Sequence, residues 1–145
     1  MKGSHAIWTS RTEEWATPQM FYDKLNEEFH FTLDPCASTE NAKCMKFYTK
    51  EQDGLAQDWS GERVFMNPPY GKTIGLWMRK ARVMGTVTLV VCLVHARTDT
   101  RWWHENVEKI ATEVRFIKGR LKFGGSKNSA PFPSAVVIYK PKELA

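Results

Sequence analysis

Long apolar runs are absent. No stretch approaches the roughly 20 consecutive apolar residues that cross a bilayer, and Met1 to Ser10 holds no apolar signal-peptide core. The expectation is a cytoplasmic protein that does not bind membranes. Cysteine is scarce too. Cys36, Cys44 and Cys92 are an odd number with no CxxC pair, and His5, His30, His95 and His104 are scattered. That excludes a disulfide framework and gives no metal-ligand spacing. Cys92, inside Val90-Val91-Cys92-Leu93-Val94, reads as a small buried hydrophobe. No internal repeat, low-complexity tract or linker interrupts the 145 residues, so one domain over 1–145 is expected.

What is present suits a folded domain: apolar residues make up 42%, with 8 Phe, 6 Trp and 4 Tyr to fill a core. The net charge of +5 is divided unevenly. Residues 1–62 carry 6 Lys and Arg against 11 Asp and Glu, while residues 63–145 carry 15 against 5. A polyanion would be held by the second half, which leaves the acidic half for another ligand.

Thr17-Pro18 has the form of a helix start, with Thr17 as cap, and Phe21, Leu25 and Glu28 follow at helical spacing; a helix from about Pro18 to Glu28 is predicted. Phe29 to Leu33 alternates into Asp34-Pro35, the pattern of a short strand. Weaker strand character covers Met45 to Tyr48, and Val64-Phe65-Met66 runs into Asn67-Pro68-Pro69-Tyr70-Gly71. Ile74, Trp77, Met78 and Ala81 make the stripe of an amphipathic helix whose other face is basic, with Lys72, Arg79, Lys80 and Arg82. Val87 to Val94 reads as a central parallel strand buried on both sides. A helix over about Asp99 to Ile110, burying Trp103, Val107 and Ile110, precedes strands near Val114 to Ile117 and Ala135 to Tyr139. Trp102, adjacent to Trp103 on that helix, reads as a ligand or packing contact. This alternation predicts an α/β three-layer sandwich with a mostly parallel central sheet. Ligands in such sheets bind beyond the carboxyl ends of the strands. That directs attention to Asp34-Pro35, Glu51 to Asp53, Asn67 to Tyr70 and His95 to Asp99.

Asn67-Pro68-Pro69-Tyr70 is the sharpest signal, since a given four-residue string with two prolines arises by chance in such a chain on the order of once in a thousand or less. It resembles the Asn/Asp-Pro-Pro-Tyr/Trp signature of amino-methyltransferases that use S-adenosylmethionine. The chemistry fits the residue types. An adenine amine is a poor nucleophile because its lone pair is delocalised into the ring; two acceptors on its N–H groups localise that pair. The Asn67 side-chain oxygen and the Pro68 carbonyl would supply them, held by the restricted backbone of Pro68 and Pro69. Tyr70 would stack on an extruded base.

The resemblance extends to Trp15-Ala16-Thr17-Pro18, Phe31-Thr32-Leu33-Asp34, Asp53-Gly54-Leu55, Asp58-Trp59, Ala96-Arg97-Thr98-Asp99 with Trp102, Gly119-Arg120 with Lys122-Phe123, and Pro131-Phe132-Pro133-Ser134. These recur in the same order in the compact phage and prophage DNA N6-adenine methyltransferases of the Dam type. The family implies a Rossmann-like methyltransferase sheet, S-adenosylmethionine as donor and adenine in DNA as acceptor. By resemblance, Asn67, Pro68, Pro69 and Tyr70 are catalytic, Thr17-Pro18 closes over the methionine end of the cofactor, and Asp34-Pro35 opens the first cofactor motif. Cys36-Ala37-Ser38 departs from the pattern, standing where many methyltransferases have a glycine-rich turn. Asp53 and Asp58 are candidates to accept hydrogen bonds from the cofactor ribose or adenine, with Glu51 nearby and the assignment open. The alternatives are an RNA or protein-glutamine methyltransferase, on which the same string serves, and a non-catalytic DNA-binding protein on a degenerate methyltransferase fold.

Arg97, Arg101, Arg120 and Lys122 are expected at the functional edge of the sheet, meeting DNA phosphates. No recognition domain has room in the chain. Base reading is therefore assigned to Arg97 to Arg101 and to the segment Gly119 to Ser134, whose Gly124 to Ser129 stretch carries Lys127 and Asn128, and the expected target is short, with a homodimer as the economical route to a palindromic site.

Overall fold

The computed structural model describes residues 16–123 and 130–142. Helix α1 spans Gln19–Phe29 and buries Tyr22, Leu25 and Phe29. Two expectations are corrected here. Thr17 does not cap this helix: the cap position falls on Pro18, with no side-chain cap bond. Nor does a strand begin at Phe29, because Phe29 completes the helix's buried stripe. The helix then stops at His30, in the left-handed region with φ 55°, and the Asn26 carboxamide oxygen accepts the Phe31 amide at 2.7 Å.

Strand β1 is therefore only Leu33–Asp34. β2 is Lys46–Phe47, a 3-10 turn covers Gly54–Ala56, and β3 is Arg63–Met66. Helix α2, Ile74–Met84, buries Ile74, Trp77, Met78, Ala81 and Met84, the stripe expected from the sequence. β4, Leu89–His95, is buried at all seven positions, whereas Val87, placed in that strand by its apolar character, is 60% exposed.

Helix α3 is shorter than its apolar spacing implied, Arg101–Asn106. Thr100 caps it by accepting the Trp103 amide at 3.3 Å. At its other end the Tyr139 hydroxyl donates to the Asn106 carbonyl, Lys109 takes a left-handed φ of 63°, and Ile110 turns out to be exposed. β5, Glu113–Phe116, and β6, Ser134–Tyr139, complete the sheet.

The six strands lie in the order β2-β1-β3-β4-β6-β5. β1 pairs parallel with β2 and β3, and β3 with β4, but β6 runs antiparallel to both β4 and β5. The sheet is thus mostly parallel with one reversed strand. Because side chains alternate across a strand, Val90, Cys92 and Val94 pack with Trp77, Met78 and Trp103 in one core cluster. Val91 and Leu93 pack with Tyr22, Leu25 and Phe29 in the other.

Candidate functional site

A cleft of about 650 Å³ opens at the carboxyl ends of the parallel strands, lined by Thr17, Asp34, Pro35, Glu51, Asp53 and Asn67 to Tyr70 among others. Its size lies in the range of small-molecule sites. The chain reaches it by four routes, each ending a strand or preceding a helix.

Asp34 closes β1 and is 4% exposed. Its two carboxylate oxygens are spent on backbone: Oδ1 accepts the Cys36 amide at 3.4 Å and Oδ2 the Lys43 amide at 3.0 Å. Burial raises its pKa to about 6, with these two backbone bonds pulling the other way. Asp34 thereby holds both ends of the loop from Cys36 to Lys43. Within that loop the Asn41 carboxamide accepts the Ser38 amide at 2.8 Å, and the Ser38 hydroxyl accepts the Asn41 amide at 3.2 Å. Side-chain acceptors do here what glycine backbone freedom does elsewhere. Burial pushes the Cys36 thiol well above its usual range, so it is not a thiolate nucleophile.

After β2, Asp53 adopts φ 55° and accepts the Leu55 amide at 3.2 Å. Gly54 follows because nothing larger fits: a Cβ there would stand 2.0 Å from the Pro35 carbonyl oxygen. The fully buried Trp59 donates its indole N–H to the Gly54 carbonyl at 3.0 Å. Glu51 and Asp53 both line the cleft. Asp58 is not among the lining residues; its carboxylate accepts the Ser60 amide at 2.9 Å and the Ser60 hydroxyl at 2.7 Å, bonds that lower its pKa.

Asn67 follows β3. Its Nδ2 donates to the Thr17 hydroxyl at 3.0 Å, across 50 residues of sequence. Thr17 is 5% exposed, so the threonine expected to cap α1 instead fixes the Asn67 carboxamide, and no local pattern signals that pairing. Pro18 does not line the cleft.

Tyr70 stands against an aromatic shelf. Its ring lies 4.6 Å from His95 and 5.3 Å, edge on, from Phe132. His95 also meets Phe132 at 5.5 Å and Trp102 at 5.6 Å, which makes Trp102 a packing residue. Burial, reinforced by the nearby Arg97 charge, depresses the His95 pKa to about 4, leaving a neutral imidazole at pH 7. Burial also raises the Tyr70 hydroxyl. Neither ring is a ready acid or base.

The expected DNA contacts are spread out. Arg97 is exposed 3.9 Å from Asp99, and Arg101 lies 3.7 Å from Glu105. Arg120 approaches the Ala130 carbonyl at 3.4 Å, and Lys122 is exposed. None of these four lines the cleft. Lys127 and Asn128 lie outside the described residues.

Comparison with known proteins gives a consistent result. The DNA N-6-adenine-methyltransferase (Dam) family profile matches residues 4–143. The chain is 31% identical over 137 residues to a DNA N-6-adenine-methyltransferase of Haemophilus phage HP1 (strain HP1c1), covering 88% of this chain and 79% of that one. It is 31% identical over 110 residues to a DNA N-6-adenine-methyltransferase of Escherichia phage T1, covering 74% and 45% of the two chains. A putative methyltransferase, YfdM, of Escherichia coli (strain K12) is 41% identical over 66 residues, 40% of this chain and 71% of that one.

Proposed function

The chain belongs to the DNA N-6-adenine-methyltransferase (Dam) family and its activity is the methylation of adenine in DNA; from that premise we propose that the cleft binds S-adenosylmethionine and that Asn67 to Tyr70 present an extruded adenine to it. We assign the sheet, with helical side chains packed on both faces, to the family's Rossmann-like three-layer sandwich, working in the cytoplasm of a bacterial or phage-infected cell.

The cleft chemistry suits this cofactor. Glu40, Glu51 and Asp53 line it against Lys43 and Lys50, which favours a ligand carrying an amine, a sulfonium and hydroxyls that donate. Pro35, Leu55, Phe65 and Trp77 add apolar wall for an adenine ring. Asp34 acts indirectly in this reading, shaping the loop from Cys36 to Lys43 rather than reaching the ligand. Glu51 and Asp53 are the carboxylates assigned to the ribose.

The cofactor, when bound, supplies an electrophilic methyl group on sulfonium. The chain supplies the acceptors. With Nδ2 engaged by Thr17, the Asn67 carboxamide is held in one orientation, and its oxygen and the Pro68 carbonyl accept the two N–H groups of the adenine amine. Both bonds strengthen as positive charge develops on that nitrogen, which is transition-state stabilisation without a strong base. Tyr70, steadied by His95 and Phe132, offers a ring against the extruded base.

The observation that carries this reading is the Thr17–Asn67 bond in the lining of the cleft, joining the segment before α1 to the loop after β3. Incubation with S-adenosylmethionine labelled in the methyl group and, separately, duplex DNA, transfer RNA or protein tests it. Label is expected in N6-methyladenine of the DNA; label confined to RNA or protein would overturn the substrate.

A further inference from the structure

We infer that the groove between α2 and α3 is a track for the phosphate backbone of the DNA duplex, occupied next to the nucleotide that enters the cleft. This rests on the activity proposed above and adds a surface to it. α2 buries one face in the core and leaves another outside, where Leu76 is 56% and Val83 49% exposed. α3 crosses close beside it: a Cβ at Gly75 would stand 3.5 Å from the Trp102 Cβ. Lys72, Arg79, Arg82 and Arg101 line the resulting groove, with Glu105 its single carboxylate.

The four cations are not equivalent. Arg82 is tethered to the Asn106 carboxamide at 2.9 Å and Arg101 lies 3.7 Å from Glu105. Lys72 and Arg79 are exposed, and neither has a carboxylate partner among the described residues. Lys80, basic and on the same helix, is directed elsewhere, 5.4 Å over the Trp59 ring. Lys72, just before α2, and Arg79, on it, thus give the groove two cations not tied to a carboxylate.

Position identifies the partner. Gly71 and Lys72 directly follow Tyr70, so the groove starts where the catalytic loop ends. At 1.5 Å of rise per residue the helix places Arg79 roughly 7.5 Å along its axis from Ile74, with Lys72 two residues further back, so the two cations span at least about two phosphate steps on one strand. A single bound anion has no use for cations so far apart; a nucleic acid backbone beside the target nucleotide does.

The test compares wild type with a Lys72→Ala/Arg79→Ala double variant on a fluorescent duplex across a salt series, with Lys24→Ala, an exposed lysine on α1, as control. Duplex affinity of the double variant is expected to fall roughly 10- to 30-fold at about 0.15 M salt, and the slope of log affinity against log salt to drop by about two. Calorimetric affinity for S-adenosylmethionine is expected to stay at the wild-type value. An unchanged slope in a double variant whose parent methylates DNA overturns the groove alone. A parent that neither binds nor methylates DNA overturns the activity as well. Loss of a dimer in the double variant, with the slope unchanged, would give the groove to a second copy of the chain and also overturn the proposal.

Discussion

The two sides of the sheet are built by different means. From β1 through the Gly54 turn, regular structure is sparse, with two residues in each strand, and side chains take over the work of ordering backbone: Asp34, Asn41, Gln52 and Asp53 each accept main-chain amides. From β3 onward the ladders are long, with four residues of β3 and all seven of β4 matched to partner strands and every β4 and β6 position buried. A ladder repeats one geometry, which gives stability but little variety of shape. Loops held by individual acceptors can curve around a ligand, and each bond in them is a single point of failure. The cleft lies where the two constructions meet.

The largest effect is expected at that junction. Asn67→Ala should lower the rate of methyl transfer by about 10²- to 10³-fold, the usual consequence of deleting one preorganised transition-state hydrogen-bonding group. Affinity for S-adenosylmethionine should stay near wild type. Single-turnover rates paired with calorimetry check it, and wild-type turnover in the variant would remove Asn67 from the chemistry.

The two sides should also answer acid with opposite sign. On the ladder side, His95 has a pKa lowered to about 4 from an ordinary 6.5. Its contribution to stability is present above pH 6.5 and is lost as pH falls toward 4, by about 3 kcal/mol in all. On the loop side, Asp34 has a pKa raised to about 6 from 3.8. Its contribution is present below pH 3.8 and is lost as pH rises through 6, by a similar amount of about 3 kcal/mol. Urea unfolding at pH 7 and pH 4 separates them. Relative to wild type, His95→Gln should be more favourable at pH 4 than at pH 7, and Asp34→Asn the reverse. Equal differences at both pH values would show that neither group titrates anomalously.

Gly54→Ala comes next. The added Cβ meets backbone at 2.0 Å, so the wall of the cleft must shift, at a cost of about 1 to 3 kcal/mol typical of overpacking. The denaturant midpoint should fall, together with cofactor affinity. A variant of unchanged midpoint would mean that the loop side yields more easily than its contacts imply. The smallest effect is electrostatic: Arg120→Ala or Lys122→Ala should each reduce the salt slope of DNA binding by about one if each meets a phosphate. No change would return both to ordinary solvated surface.

Most of the ladder side could be read directly from residue order. The apolar run into β4, the stripe Ile74-Trp77-Met78-Ala81 and the proline pair after β3 each carry their structure in neighbouring residues, because side-chain periods of 2 and 3.6 and the fixed φ of proline are local properties. The place of Asn67-Pro68-Pro69-Tyr70 after a parallel strand and the basic second half follow from the same reasoning. Asn67, Asp34 and Asp53 were recognisable as site candidates from their places after strands, and Thr17 from the family resemblance, but their partners were not. That Thr17 holds Asn67, that Asp34 binds two amides of its own loop, that Asp58 turns to Ser60 and that Gly54 must pass the Pro35 carbonyl are all facts of approach between segments. Periodicity is blind to such approaches, and equally to the direction of β6, since a fully buried strand has the same composition whether it runs parallel or antiparallel. The sequence by itself determined the order of most strands and helices; only the folded chain decided where several of them end and which acceptor meets which donor, because those bonds depend on distances that exist only once the core has closed.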